Sequence, residues 1–160
     1  MANPFLVLGG VAVGVITAGI GVLQVPGWID SANDSAATQD LSQVALSQEA
    51  AATVLGEYQI DTVLLSGKSG NEITGVKFQP SAGVVTEIIT FDNAEQWAAV
   101  SVSKSGNVFV RTSDSTKVYK SDEKAGTDLS TLSFATKDGE ALAGFEISGT
   151  KAAPVITVAP

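Results

Sequence analysis

The chain contains no cysteine and no histidine. The first absence excludes a disulfide framework and thiolate metal sites, and the second removes the commonest general base and the commonest metal ligand. Basic side chains are scarce too: nine Lys and Arg stand against 17 Asp and Glu, giving a net charge of −8, and the first basic residue is Lys68. Phosphate recognition needs a basic face, so no nucleic-acid contact is expected. These shortages together point away from an enzyme and away from any cofactor or metal centre. A pair of carboxylates could still hydrolyse a bond without histidine, but no two of them stand at a spacing that supports such a role.

Charge is missing altogether from Met1 to Ile29. Within PFLVLGGVAVGVITAGIGVLQVPGWI, residues 4–29, only Thr17 and Gln24 are polar. The run exceeds the roughly 20 residues that a helix needs to cross a bilayer. A secretory leader carries a basic segment before its apolar core, and MANPF has none, so the run reads as a retained helix. Gly9, Gly10, Gly14, Gly19 and Gly21 weaken it as a lone helix, while Gly10, Gly14 and Ala18 place small residues along one side. A small-residue face permits close approach of neighbouring helices. Pro26 and Gly27 then interrupt, and Trp28 is placed as an interfacial aromatic.

Beyond that junction, residues 30–57 read as an amphipathic helix. Ala37, Leu41, Val44, Ala51, Leu55 and Tyr58 follow alternating spacings of four and three once Gln48 is allowed as a polar interruption. Ser35, Gln39, Ser42 and Glu49 mark the solvated side, and Gly56 is a stop signal. If the two helical segments are continuous they span roughly 80 Å, with Pro26 as a built-in kink. The period changes after Glu57. YQIDTVLL, EITGVKFQP, GVVTEIITF, WAAVSVSK, NVFVRTS and TKVYKS are short β-type runs separated by turn formers, the signature of an antiparallel meander. Val100 and Val102 alternate with Ser101 and Ser103, which predicts one packed and one solvated face. Residues 121–160 add further short strands, with a hairpin at Lys137-Asp138-Gly139 and a proline-flanked edge strand in APVITVAP. The expected fold is α+β: a long N-terminal helix, apolar then amphipathic, on an antiparallel sheet. The segments are 1–29 apolar helix, 30–57 amphipathic helix, 58–120 β head and 121–160 C-terminal β extension.

Lesser patterns resolve into local structure. SGKSG at 66–70 lacks the glycine five positions upstream that a phosphate loop requires, Thr62 standing there, and reads as a turn. Asp114, Asp122, Glu123 and Asp128 lack calcium-loop spacing and read as a solvated loop. Asn33-Asp34-Ser35 matches a glycosylation sequon and reads as a helix cap. Trp97 opens an apolar strand and is expected in the core.

The order of parts resembles the type IV pilins and pseudopilins, most of all the small pilins of Gram-positive actinobacteria. Phe5 and Pro26 stand in the register of the family's first mature residue and its helix-breaking proline. DSAATQDLSQVALSQEAAATVLGEY is similar to the family's helix, and GVKFQPSAGVVTEIITFDNAEQWAAVSVSKSGNVFVRTSDSTKVY to its sheet, so the resemblance covers residues 5–120. It implies a structural subunit that self-assembles into a helical surface filament, inserted in the membrane beforehand and handled by pilus-type assembly machinery. On that reading Phe5, Gly9, Gly10, Gly14 and Ala18 form the assembly helix. Two positions depart from the pattern: Gly9 occupies the site of the family's glutamate, and Pro4 the site of the glycine before the mature phenylalanine. The competing expectation is a membrane-anchored, virion-associated or surface-associated binding module with an exposed β domain.

Overall fold

The computed structural model describes residues 4–69, 72–73, 75–126 and 128–160, with side chains described from residue 27 onward except 68–74 and 127. It is α+β. Helix α1 spans Pro4–Leu55, a short α2 spans Asp61–Ser66, and among the described residues nine strands follow. The chain forms two compact units, Met1–Ala32 and Asn33–Pro160.

In the second unit the sheet is built as the turn chemistry dictates. Strands β3 (Val85–Phe91), β4 (Gln96–Val102), β5 (Val108–Thr112), β6 (Tyr119–Ser121) and β7 (Phe134–Ala135) lie in chain order and are antiparallel throughout. The small ribbon β1 (Lys68–Ser69) with β2 (Glu72–Ile73) precedes them, and the hairpin β8 (Phe145–Thr150) with β9 (Ala153–Val158) closes the chain. Phe91 pairs with Gln96 across a turn in which Asp92, Asn93 and Ala94 all take positive φ. Gly149 has φ 84°, and a Cβ there would lie 2.4 Å from the Ala153 carbonyl oxygen, so the tight β8–β9 turn admits only glycine.

Two hydrophobic clusters flank the sheet. On one face Ala37, Leu41, Val44 and Ala51 of α1 meet Ile88, Trp97, Ala99 and Phe109, with Leu64, Val76 and Phe78 at the border. On the other face Ala98, Val100, Val102, Val108 and Val110 meet Tyr119, Leu129, Phe134, Ile147 and Ile156. The sheet is therefore a middle layer, with α1 on one side and the β8–β9 hairpin with the Leu129 loop on the other. This corrects the expectation of one solvated face: Ser101 and Ser103 are 0 % and 3 % exposed. The apolar residues of the C-terminal segment have no other surface on which to bury, and the hydrophobic term drives them there. Small hydroxyl side chains on the opposite face let α1 approach closely.

Four further expectations are corrected. DTVLL forms α2 instead of a strand: Thr62 N–H donates to Asp61 Oδ1 (2.6 Å), and left-handed Gly67, φ 67°, ends the turn with its N–H on the Val63 carbonyl. Its apolar anchor is the buried Leu64. In GVKFQ, Val76 and Phe78 are buried while Lys77 and Gln79 are exposed, yet the segment is not part of the sheet; Phe78 N–H donates to the Leu64 carbonyl. Leu55 is 38 % exposed, not the end of a buried stripe, because the helix ends there and Gly56, φ 84°, redirects the chain. Asn33 and Ser35 lie inside α1, not at its start, because the helix runs through both. SGKSG does supply a turn, with Gly67 as its left-handed residue, and Trp97 is a core residue at 2 % exposure.

Candidate functional site

Polar side chains tie α1 to the rest of the second unit at three levels. Asp34 receives Ser103 Oγ at 2.9 Å and Ser105 Oγ at 2.5 Å on Oδ1, and Asn107 Nδ2 at 2.7 Å on Oδ2, with Lys120 Nζ 3.6 Å away. Burial pushes its carboxyl upward, but the hydrogen bonds from Ser105, Ser103 and Asn107 and the Lys120 charge outweigh it together and hold it below its ordinary value. Two turns on, the fully buried Asp40 accepts both the Ser81 N–H (2.8 Å) and the Ser81 hydroxyl (2.7 Å), fixing the PSAG turn against the helix. A buried carboxylate is tolerated only with such charge-assisted partners. Gln48 clamps the chain beyond the helix: its Nε2 donates to the Gln59 carbonyl (2.7 Å) and its Oε1 accepts the Gln59 N–H (2.9 Å). The polar interruption in the apolar stripe is thus a backbone clamp, which spacing alone does not reveal. All three groups hold structural contacts within the Asn33–Pro160 unit.

Acidic loop residues are similarly engaged. Asp122 Oδ1 accepts the N–H groups of Glu123 and Ser133, and Asp128 Oδ1 that of Ser130. Among the described residues no group of three or more acidic side chains could hold a metal ion.

Exposed apolar side chains lie in both units. In the first, Trp28 is 70 % exposed and Ile29 is also exposed, while Gly27 has open space around it and its carbonyl accepts Ser31 Oγ at 2.9 Å. In the second, Leu46 is 71 % and Val54 64 % exposed on α1, and Ile60, Val155 and Val158 are exposed elsewhere. Leu46 and Val54, eight residues apart, sit on one side of the helix. The side chains of Phe5, Gly9, Gly10, Gly14, Ala18 and Pro26 lie outside the described residues. Among the described residues no helix is long and apolar enough to cross a membrane, and the side chains of residues 4–26 in the charge-free run lie outside them.

No protein-family model, no curated protein and no solved structure matches this chain.

Proposed function

We propose that the protein is the structural subunit of a type IV pilus-like surface filament, assembled through its N-terminal helix and displaying an acidic β head. The observation that carries the reading is the charge-free, glycine-spaced run of residues 4–29 at the start of a helix whose later part, within Asn33–Leu55, covers an antiparallel sheet. The sequence likeness of residues 5–120 to pilins supports it independently. In this reading the apolar run rests in the membrane before assembly and then exchanges lipid for neighbouring copies. At about 25 cal/mol per Å², on the order of 1,000 Å² buried per subunit gives about 25 kcal/mol gross, before association entropy and desolvation are subtracted. Gly10 and Gly14 let helices approach, Pro26 and Gly27 allow the helix to bend under load, and Trp28 with Ile29 sits where the packed interior meets the wet shell.

The test is reconstitution. Full-length protein in detergent is carried through detergent removal and imaged by electron microscopy, alongside Gly10→Leu/Gly14→Leu protein. Filaments from the parent and none from the double variant, with equal head folding by circular dichroism, support the proposal. Monomers or vesicle-bound particles from both would favour the anchored binding module instead.

A further inference from the structure

Arg111 is the chain's single arginine. It lies on β5 opposite Ala99, on the sheet face that α1 covers, one diagonal step from Trp97 of β4. Both side chains line a cavity of about 430 Å³ between α1 and the end of β5, walled by Ala45 and Leu46 on the helix side and closed by the Thr112–Thr116 loop. Trp97 Nε1 and Arg111 Nε are buried without a hydrogen-bond partner, and Trp97 is only 2 % exposed. Among the described residues no carboxylate pairs with the Arg111 guanidinium, although 17 acidic side chains are present in the chain. Every other buried polar side chain described above is satisfied, so two orphaned donors in one cavity are exceptional here.

The donors define half of a ligand. The indole N–H of Trp97 and the Nε–H of Arg111, on residues one diagonal step apart that line the same cavity, both lack an acceptor, and a guanidinium fork matches a carboxylate. The other half follows from the remaining charges. Glu49 and Asp114 line the same cavity, with only weak hydroxyl contacts from Tyr58 (3.5 Å) and Ser113 (3.3 Å). A simple anion would meet their repulsion, whereas a molecule that also carries an ammonium group would satisfy both signs. Ala45 and Leu46 offer an apolar wall, and the volume falls within the range of small-ligand pockets. We propose that this cavity binds a small amphoteric ligand, an aliphatic amino acid in chemical class, with its carboxylate on Arg111 and Trp97 and its ammonium toward Glu49 and Asp114. The proposal does not rest on the filament reading, because the site lies wholly within the Asn33–Pro160 unit.

The experiment uses the full chain, labelled with ¹⁵N in its two tryptophans, and three probes: L-leucine, leucinamide and 4-methylpentanoate. The last two lack the carboxylate and the ammonium respectively. L-leucine is expected to shift the Trp97 indole resonance, identified with Trp97→Phe, while leaving that of Trp28 in place. Each truncated probe is expected to bind at least about tenfold more weakly, the factor that loss of one charge-assisted contact implies. Arg111→Gln should abolish binding, and Arg111→Lys should retain a weakened form of it, since a point charge replaces the fork. Circular dichroism confirms that each variant is folded. No response to L-leucine up to tens of millimolar, equal binding of leucinamide, or unchanged binding by folded Arg111→Gln would overturn the assignment.

Discussion

Asp34 shows how one side chain couples the helix to the sheet and the fold to pH. Its carboxyl is held below the ordinary 3.8 by partners that exist only in the folded state. The folded protein therefore binds fewer protons than the unfolded chain between the two values, and the stabilisation is complete above about pH 4 and lost as pH falls through the lowered value. Glu87 has the opposite sign: burial first, then the charge of Asp61, pushes its carboxyl up, so its contribution is present at low pH and lost as pH rises through the raised value. Asp34→Asn is expected to cost roughly 1–3 kcal/mol at neutral pH. Urea melts across pH 3 to 7 should show the gap between variant and parent closing below about pH 4; a gap independent of pH would contradict this account of Asp34. A second residue-scale effect lies in the β3–β4 turn. Ala94 holds φ 63°, where a Cβ is unfavourable, while its carbonyl accepts the Tyr58 N–H. Ala94→Gly should stabilise by roughly 0.5–1 kcal/mol in thermal melts, because the strain relieved exceeds the added chain entropy.

Among the elements, the β8–β9 hairpin has the largest structural consequence. Ile147 and Ile156 are buried in the second cluster, and those two residues alone contribute roughly 3–6 kcal/mol of burial. Truncation after Ala143 should expose Val100, Val102 and Val110, raise binding of a hydrophobic dye and broaden or abolish the unfolding transition. Retention of a sharp melt by the truncated chain would show that the hairpin is dispensable. How far the sequence discloses such elements depends on which force sets them. The strands β3 to β6 were legible because Val, Ile and Thr runs alternate with Gly, Asp and Asn turns, and local chemistry fixes both. The buried side of α1 was legible through Ala37, Leu41 and Val44. DTVLLS was not: its six residues carry both β-type composition and a helix-compatible start and stop, and the αL geometry of Gly67 decides between them. Nor was the covered second face, since Ser101 and Ser103 look solvent-directed until Asp34 and Thr86 supply their partners. The Arg111–Trp97 pairing is set by cross-strand register, which no spacing along the chain records.

At the scale of the whole molecule, a charge-free helical run precedes an acidic three-layer head along the chain. Charge is divided sharply along the chain: none before Asp30, and the whole net charge of −8 from Asp30 onward. Like-charged heads repel, which keeps the displayed surface from associating indiscriminately, while the uncharged run has no such opposition and can pack copy against copy. In the proposed filament, assembly is driven from the N-terminal helix with its register set by small residues, so variants in the head should change surface properties without stopping polymerisation. The most direct measurement is electron microscopy of full-length protein after detergent removal, compared with Gly10→Leu/Gly14→Leu. Thin filaments from the parent, absent from the double variant with an equally folded head, are the predicted result. Persistent monomers, or filaments from both proteins alike, would contradict assembly through the glycine-spaced helix.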